Sequence, residues 1–328
     1  MKQILTFVLS ALMIACFSSC KTTTPLAGKV GDVLIVMDSD DWKGDLGEAV
    51  REKLTEDYPM LPQSEPHFNL SNVPHGSFND TFQKFRNIII FETNAGYNKV
   101  TYREAVWAPK QYVIEVKAES ASKAIELITS KGNEIIAKLE NAERNRLIAN
   151  NKEYSAPEET EAEVNKLFGG TPELPHGTKI FKQTNDFMWV SICHTDHIKK
   201  YLLIYKYPIE DATAAMDNES LISKNKGVMN KNIPGPQEGT YMTHSKYIQP
   251  SVQFMKHNNR QVAELRGLWE VENDYMGGPF VSHESISPDG KYIVGITGFV
   301  YAPRYAKIQY LREVEAIVYS FHFTEKEK

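Results

Sequence analysis

Cysteine is scarce in this chain, and positive charge is not in excess. The 328 residues include three cysteines, and 37 Lys and Arg residues stand against 42 Asp and Glu residues. Lys and Arg do not gather in a stripe, which a protein needs in order to neutralise nucleic-acid phosphates. We therefore do not expect nucleic acid as a partner.

Long hydrophobic runs are lacking except at the N-terminus, where Lys2 precedes the apolar segment Ile4–Phe17. This segment is shorter than the ~20 residues that cross a membrane as a helix, and it fits the apolar part of a cleaved secretory signal. We predict a signal peptide over residues 1–19. The rest of the chain is then expected to work outside the cytoplasm.

The end of this segment resembles a lipoprotein processing site. Ser18-Ser19-Cys20 is followed by polar Lys21-Thr22-Thr23-Thr24, a pattern in which the cysteine thiol is diacylated and becomes the new N-terminus. We predict lipidation of Cys20 and a short tether over residues 20–29. Two alternatives remain, namely an ordinary signal peptide with an incidental cysteine and acylation at Cys16.

The mature chain has the composition of an ordinary globular protein. The full sequence is 41% hydrophobic, 11% aromatic and 24% charged, and the roughly 300 residues left after cleavage suit one large or two medium domains. With Cys16 cleaved and Cys20 acylated, Cys193 has no cysteine to pair with, so no internal disulfide is expected. Its apolar surroundings predict a buried strand.

Short apolar runs predict strands, and apolar residues at helical spacing predict helices. The strands are predicted at Val33–Met37, Asn87–Phe91, Tyr112–Val116, Phe187–Cys193, Tyr201–Tyr205 and Ala263–Val271. The helices are predicted at Leu46–Leu54, Ser120 to about Asn150, Pro157–Gly169, Asp211 to about Ser223 and Lys307–Val318.

This order of elements predicts an α+β fold. We expect two mixed, largely antiparallel sheet-plus-helix subdomains, the first over residues 30–168 and the second over residues 169–328. Residues 233–259 are rich in Gly and Pro and are longer than usual for a connection without regular structure. They indicate either a functional surface or an element that the pattern hides.

Acidic residues directly after the first predicted strand are one candidate for catalysis. Met37 is followed by Asp38, Ser39 and Asp40, and a buried strand ending in Asp-x-Asp presents the nucleophile and the acid in haloacid-dehalogenase-type phosphotransferases. That chemistry also needs a lysine and a second acidic pair for the metal, which the sequence does not supply convincingly. The aspartates are equally explained as a polar turn that precedes a helix.

A second candidate is the cluster His194, Asp196 and His197. Two imidazoles and a carboxylate within a few residues could begin a site for zinc or another divalent metal. No other histidine stands at a recognised ligand spacing, and a polar loop between two strands explains the cluster as well. No Gly-x-Ser-x-Gly elbow is present, so no catalytic triad is supported.

A third candidate is a recognition surface in the second half. It would be built from Arg266, Trp269, Met276 and Tyr301, because Trp, Tyr, Met and Arg are enriched where partners dock. The tandem glycines at Gly277-Gly278 could let another backbone approach closely. Packing of Trp269 in the core is the alternative.

Six short motifs are spread over nearly the whole mature chain. They are Leu61-Pro62-Gln63, Arg86-Asn87-Ile88-Ile89-Ile90, Ile233-Pro234-Gly235-Pro236, Arg266-Gly267-Leu268-Trp269, Met276-Gly277-Gly278-Pro279-Phe280-Val281-Ser282 and Gly298-Phe299-Val300-Tyr301-Ala302-Pro303. Together they resemble an uncharacterised lipoprotein family of Bacteroidetes-type bacteria, a domain of unknown function. The resemblance implies a location in the cell envelope of a Gram-negative host and supplies no catalytic residues.

We therefore expect a lipid-anchored envelope protein that binds another envelope protein or a cell-wall component without catalysis and without a cofactor. The absence of acidic residues in Lys21-Thr22-Thr23-Thr24 favours the periplasmic face of the outer membrane over display at the cell surface. The alternative is a divalent-metal-dependent hydrolase that uses the cluster of His194, Asp196 and His197.

Overall fold

The computed structural model describes residues 25–211 and 215–324. Its α-helices are α1 (Ser39–Lys43), α2 (Asp45–Leu54), α3 (Ala121–Glu153), α4 (Glu158–Phe168), α5 (Asn218–Asn232) and α6 (Ile308–Ser320). Its strands are β1 (Asp32–Val36), β2 (Asn69–Val73), β3 (Asn87–Glu92), β4 (Lys99–Glu104), β5 (Tyr112–Lys117), β6 (Gly170–Thr171), β7 (Lys179–Gln183), β8 (Phe187–His194), β9 (Lys199–Pro208), β10 (Met242–His244), β11 (Ser251–His257), β12 (Arg260–Val271), β13 (Gly277–Ile286), β14 (Tyr292–Tyr301) and β15 (His322–Phe323). The predicted α+β fold with two sheet-plus-helix regions is confirmed.

The first sheet has five strands in the order β2-β1-β3-β5-β4. Only the pair β4 and β5 is antiparallel, whereas the other three pairs are parallel. The prediction of a largely antiparallel arrangement was therefore wrong for this sheet. The reason is burial on both faces: Val33 and Ile35 pack into one core, and Leu34 and Val36 into another, which gives the continuous apolar runs that are typical of parallel strands.

Helix α3 is the long helix that the sequence predicted. The Ser120 side chain caps it by accepting a hydrogen bond from the backbone N–H of Lys123, which satisfies one of the free donors at its start. Gly132 is buried, and a Cβ atom there would lie 2.5 Å from the Cγ atom of Lys53. This glycine therefore permits close packing of α2 against α3, which outweighs its weak helix propensity.

The second sheet has eight strands. Seven follow the order β10-β12-β13-β14-β9-β8-β7, and β11 pairs with β12 beside β10. All of its pairs are antiparallel, which confirms the expectation for this half. One face packs against α5 through residues such as Leu221 and Met229, and the other packs against α6 through residues such as Val314.

One predicted helix in this half had inaccurate bounds. The helix expected from Asp211 begins later, at Asn218, because the Asp217 side chain accepts hydrogen bonds from the backbone N–H groups of Glu219 and Ser220 and thereby caps it. The Gly- and Pro-rich passage contains two strands, β10 and β11. Strand β11 was missed because its apolar residues Val252, Phe254 and Met255 are interrupted by polar ones and none of its residues is fully buried, so it lacks the apolar run of a buried strand.

Helix α4 follows the first region in the chain. It ends at Gly169, whose φ of 71° favours glycine, as the sequence predicted. Its buried residues Val164 and Phe168 lie in the core beneath the second sheet. The division of the chain after residue 168 stays a prediction.

No helix in the described residues has both the length and the apolar character that a membrane crossing requires.

Candidate functional site

A surface groove of about 720 Å³ lies beside the turn that joins the last residues of β12 to the first residues of β13. We call it the aromatic groove. It brings together the turn between these strands, the segment after β10, the end of β14 and part of the first region. Its lining includes Pro62, Gln63, Lys246, Tyr247, Leu268, Trp269, Asp274, Tyr275, Met276, Gly278, Tyr301 and Lys307. Three of the four residues predicted to form a recognition surface, Trp269, Met276 and Tyr301, therefore share one cavity.

Trp269 belongs both to the core and to the groove. Its side chain is only 4% exposed, and its ring packs edge-on against Phe299 with 5.4 Å between ring centroids. The indole Nε1–H donates a hydrogen bond to the backbone oxygen of Val300 at 3.2 Å. These contacts fix the indole in one orientation, so it forms a rigid wall of the groove.

The glycines that line the groove beside Trp269 allow neighbouring strands of the protein itself to pack closely. A Cβ atom at Gly278 would lie 2.1 Å from the backbone oxygen of Val300 and 3.2 Å from the Nε1 atom of Trp269. The close approach that the sequence suggested for a partner backbone is therefore occupied by β14.

The rim of the groove exposes aromatic side chains. Tyr275 is fully exposed and Tyr247 is 81% exposed, and both line the cavity beside the half-buried Met276. Lys246 and Asp274 add one charge of each sign. A buried aromatic wall with a mixed polar and aromatic rim has the composition of a docking site.

Arg266, the fourth predicted residue, lies outside the groove. It is three positions before Trp269 on β12, so its side chain points to the opposite face of the sheet, toward α6. There its guanidinium pairs with Glu264 and Glu315. Arg266 thus contributes to the contact between the two halves of the protein.

That contact is built from buried charges, which we call the ionic joint: Tyr58, Glu140, Arg144, Arg266, Arg312 and Glu315. Glu315 of α6 accepts hydrogen bonds from Tyr58 at 2.6 Å, Arg144 at 2.7 Å and Arg266 at 2.7 Å. Glu140 of α3 pairs with Arg312 of α6. In each pair, the partner offsets the free-energy cost of burying a charged side chain alone.

The joint holds its carboxylates in the ionised form. Burial alone would raise the pKa of Glu315, but Arg266 and Arg144 outweigh it and hold that pKa well below its usual range. The pKa of the neighbouring Glu264 is about 2, because the hydrogen bond from His283 and the charge of Arg266 outweigh its burial. Both groups remain anionic at neutral pH.

A different buried carboxyl lies on the other face of the same sheet. Glu284 accepts hydrogen bonds from the hydroxyl groups of Tyr205 and Tyr207, both at 2.7 Å. Asn225 donates to the Tyr205 oxygen at 2.8 Å and accepts from the Nε2–H of His244. No cation among the described residues pairs with Glu284, and burial raises its pKa to about 7. Burial lowers the pKa of His244 to about 4.

Sequence reasoning missed these buried groups. Its available signal was the run Ser282-His283-Glu284-Ser285, four consecutive polar residues inside an otherwise apolar strand. Alternation places His283 and Glu284 on opposite faces of β13, which is why one joins Glu264 and the other joins Tyr205.

The predicted metal cluster lies at the turn between β8 and β9. Asp196 and His197 are exposed, and the His194 side chain lies outside the described part of the structure. No group of three His, Cys, Asp or Glu side chains in the described part of the chain is arranged to hold a metal ion. The metal role of this cluster stays a prediction. The nearby Cys193 is in a strand, as predicted, but is only half-buried.

The acidic segment after β1 lies where the parallel strands β1 and β3 end side by side. Asp41 accepts a hydrogen bond from Thr93 at 3.1 Å, and Asp38 lies 3.1 Å from the Nδ1 atom of His75. The hydrogen bond from His75 lowers the pKa of Asp38. Asp38 and Asp40 are exposed, and in the described residues no second acidic group completes a metal site with them.

The chain matches two family models. A domain of unknown function (DUF4837) matches residues 157–320, and another domain of unknown function (DUF8532) matches residues 27–152. No curated protein matches the chain. The human StarD13 (DLC2) lipid transfer and protein localization domain is similar over 50% of this chain and 94% of its own, with 11% identity and a TM-score of 0.22. A TM-score this low supports no inference about fold or function.

The DUF4837 match spans the entire eight-stranded sheet, helix α6 and the residues that form most of the aromatic groove. It covers half of the chain, and the chain therefore belongs to the DUF4837 family, a domain of unknown function.

Proposed function

We propose that this protein is a lipid-anchored protein of the cell envelope that binds another envelope protein through the aromatic groove, without catalysis. The aromatic groove carries the proposal. Its indole wall is rigid and therefore preformed, and a preformed surface binds with little cost in ordering. Its exposed tyrosines add apolar area at the rim.

The composition of the groove favours a protein as the partner. Tyr275, Tyr247 and Met276 are of the types enriched at protein interfaces, and Lys246 and Asp274 place both signs of charge at the rim. Mixed charges at a rim select the orientation of a folded partner more than they add affinity. A cell-wall glycan is the alternative partner for the groove, and crosslinking distinguishes a glycan from a protein.

The proposed location rests on the N-terminal sequence. Lys2 and the apolar run Ile4–Phe17 precede Ser18-Ser19-Cys20, and the chain resembles a lipoprotein family of Bacteroidetes-type bacteria. The residues after Cys20 lack acidic groups, which supports the periplasmic face of the outer membrane. A short tether would keep the groove close to that membrane.

The groove can be tested by crosslinking in the native envelope. A photo-reactive phenylalanine at position 275 is expected to capture one defined protein, whereas the same group at the half-exposed Tyr97, outside the groove, is not. With the captured protein purified, Tyr275→Ala is expected to weaken binding about tenfold, which is typical of a hot-spot residue. Tyr97→Ala is the matched control and should bind like the wild type.

Equal crosslinking from both positions, or unchanged binding by Tyr275→Ala and Tyr247→Ala, would contradict a role of the groove in binding. Capture of sacculus glycan alone from position 275 would replace the protein partner with a cell-wall component.

The anchor has a separate test. We expect Cys20→Ser to abolish incorporation of an alkyne-labelled palmitate in growing cells, because the thiol is the proposed acyl acceptor. Cys193→Ser and Cys16→Ser should retain the label. Loss of label in Cys16→Ser with retention in Cys20→Ser would move the anchor to the alternative cysteine, and no label in the wild type would contradict the lipoprotein assignment.

A further inference from the structure

A second cavity of about 720 Å³ lies at the opposite end of β12 from the aromatic groove. We call it the histidine cavity. Arg260 lines it, and Trp269 lines the groove nine residues further along the strand, about 30 Å away at 3.3 Å per residue. The two cavities are therefore separate sites, and a ligand of the histidine cavity is independent of the proposed function of the groove.

The sheet register places the polar residues of the cavity on one face. His257 and Arg260 are directly opposite each other across the turn between β11 and β12. The two turn residues, Asn258 and Asn259, have φ of 47° and 60°, as in the tight hairpin turns that match strand twist. On the neighbouring strand β13, His283 lies directly opposite Glu264 of β12, on the face that carries Arg260.

His283 is buried in the cavity wall with one ring nitrogen unused. Its side chain is 6% exposed, and its Nε2 atom lies 3.1 Å from a carboxylate oxygen of Glu264. The carboxylate is held ionised by Arg266 and also accepts from the Tyr319 hydroxyl, so Nε2 carries the proton. The Nδ1 atom of His283 has no hydrogen-bond partner among the described residues, and it is left as an acceptor.

Two more imidazoles in the cavity are fixed in the same way. The Nε2 atom of His257 lies 2.6 Å from the backbone oxygen of Tyr319, and the Nδ1 atom of His322 lies 3.1 Å from that of Ser320. A carbonyl oxygen only accepts, so each of these nitrogens donates, and in the neutral imidazole the other ring nitrogen is an acceptor. The described residues hold no group of three side chains placed to bind a metal ion.

Arg260 supplies a positive charge. Its guanidinium lies 4.7 Å from the centre of the Phe323 ring, and no carboxylate in residues 25–211 and 215–324 lies within ion-pair distance of it. A stacked guanidinium keeps its hydrogen-bonding edge free for a carboxylate or a phosphate. Phe321 and Phe323 add apolar walls.

We propose that the histidine cavity binds a small polyhydroxylated anion, such as a sugar acid or a sugar phosphate. Arg260 pairs with the anionic group, the acceptor nitrogens of His283, His257 and His322 receive hydroxyl donors, and Phe321 and Phe323 cover the apolar face of the ring. A cavity of this volume accommodates a ligand of ordinary metabolite size.

Calorimetric titration of the full mature protein tests this site. The probes are glucuronate, N-acetylmuramate and glucose 6-phosphate, with uncharged glucose as the matched sugar. We expect at least one acidic sugar to bind, and glucose to bind at least tenfold more weakly. Whether the carboxylates or the phosphate bind more tightly identifies the anionic group.

Two variants assign the binding to the cavity. Arg260→Gln is expected to weaken the acidic sugar at least tenfold, whereas Lys256→Gln, which removes the same charge from an exposed position outside the cavity, should not. The imidazole ¹⁵N signals of the wild type give a second readout, in which the Nδ1 resonance of His283 shifts on binding. The proposal is overturned if no acidic sugar binds at millimolar concentration, if glucose binds equally, if both variants behave alike, or if the His283 signal does not change.

Discussion

Replacement of Glu315 by alanine is expected to lower the free energy of unfolding by about 3 to 5 kcal/mol, the usual cost of leaving a buried charge without its partner. Glu315 accepts hydrogen bonds from Arg266 and Arg144 in the ionic joint. Both guanidiniums are mostly buried and would remain charged. Urea denaturation at pH 7 measures the change.

Glu126 provides the control in an exposed ion pair. It pairs with Lys123 within helix α3, and the two side chains are 61% and 45% exposed, so Glu126→Ala is expected to cost no more than about 1 kcal/mol. Equal losses in the two variants would show that the joint contributes no more than a surface ion pair. Because the pKa of Glu315 is lowered, its contribution to the free energy of unfolding depends on pH. The contribution is complete above the ordinary carboxyl pKa and is lost as the pH falls below it.

Glu284→Gln is expected to remove a pH dependence of stability that has the opposite direction to that of Glu315. Burial raises the pKa of Glu284 from its ordinary value of 4.5 to about 7, so the folded state favours the protonated carboxyl. The stability that Glu284 contributes to the wild type therefore falls as the pH rises from 4.5 to about 7, by about 3 kcal/mol in total. The glutamine stays neutral and still accepts a hydrogen bond, so the variant does not undergo this loss.

The measurement is urea denaturation of both proteins from pH 4 to pH 8. The stability of Glu284→Gln relative to the wild type is expected to rise by about 3 kcal/mol across this range, whatever the offset at pH 4. Glu238→Gln, at an exposed position, is the control and should show a constant difference. A constant difference for Glu284→Gln would mean that Glu284 is ionised in the folded protein at acidic pH.

These two carboxyls show how strongly local surroundings decide the chemistry of one residue type. Glu315 has two guanidiniums within hydrogen-bond distance and ionises readily. Glu284 has tyrosine hydroxyl groups instead, and hydroxyl groups do not offset the cost of burying a negative charge as a cation does. The eight-stranded sheet thus carries an ionised cluster on one face and a protonatable one on the other.

Much of the fold could be predicted from the sequence. Helices α3 and α4 begin and end near the predicted residues because their signals are local: a Ser120 cap, an apolar stripe and a glycine stop at Gly169. The central strands were found because each is a short apolar run. Strand direction in the first sheet was not found, because short apolar runs, although typical of parallel strands, also occur in the buried strands of antiparallel sandwiches.

The candidate site was predicted in part. Trp269, Met276 and Tyr301 were singled out for their residue types, and they share the aromatic groove. Arg266 was grouped with them because it is close in sequence, yet strand alternation turns it to the other face. The histidine cavity was not predicted at all, because its residues come from β11, β13 and the C-terminal strand, far apart in the chain.

The sequence by itself determined the central strands and the long helices, that the chain has two α+β regions, and which aromatic residues stand near one another along β12, β13 and β14. These properties depend on periodicity, caps and turns, which act over a few residues. Only the tertiary structure decided which charges are buried, which partners they meet and which faces enclose a cavity. Those outcomes depend on contacts such as Tyr58 with Glu315, 257 positions apart, and the chain encodes them through packing and not through any local pattern.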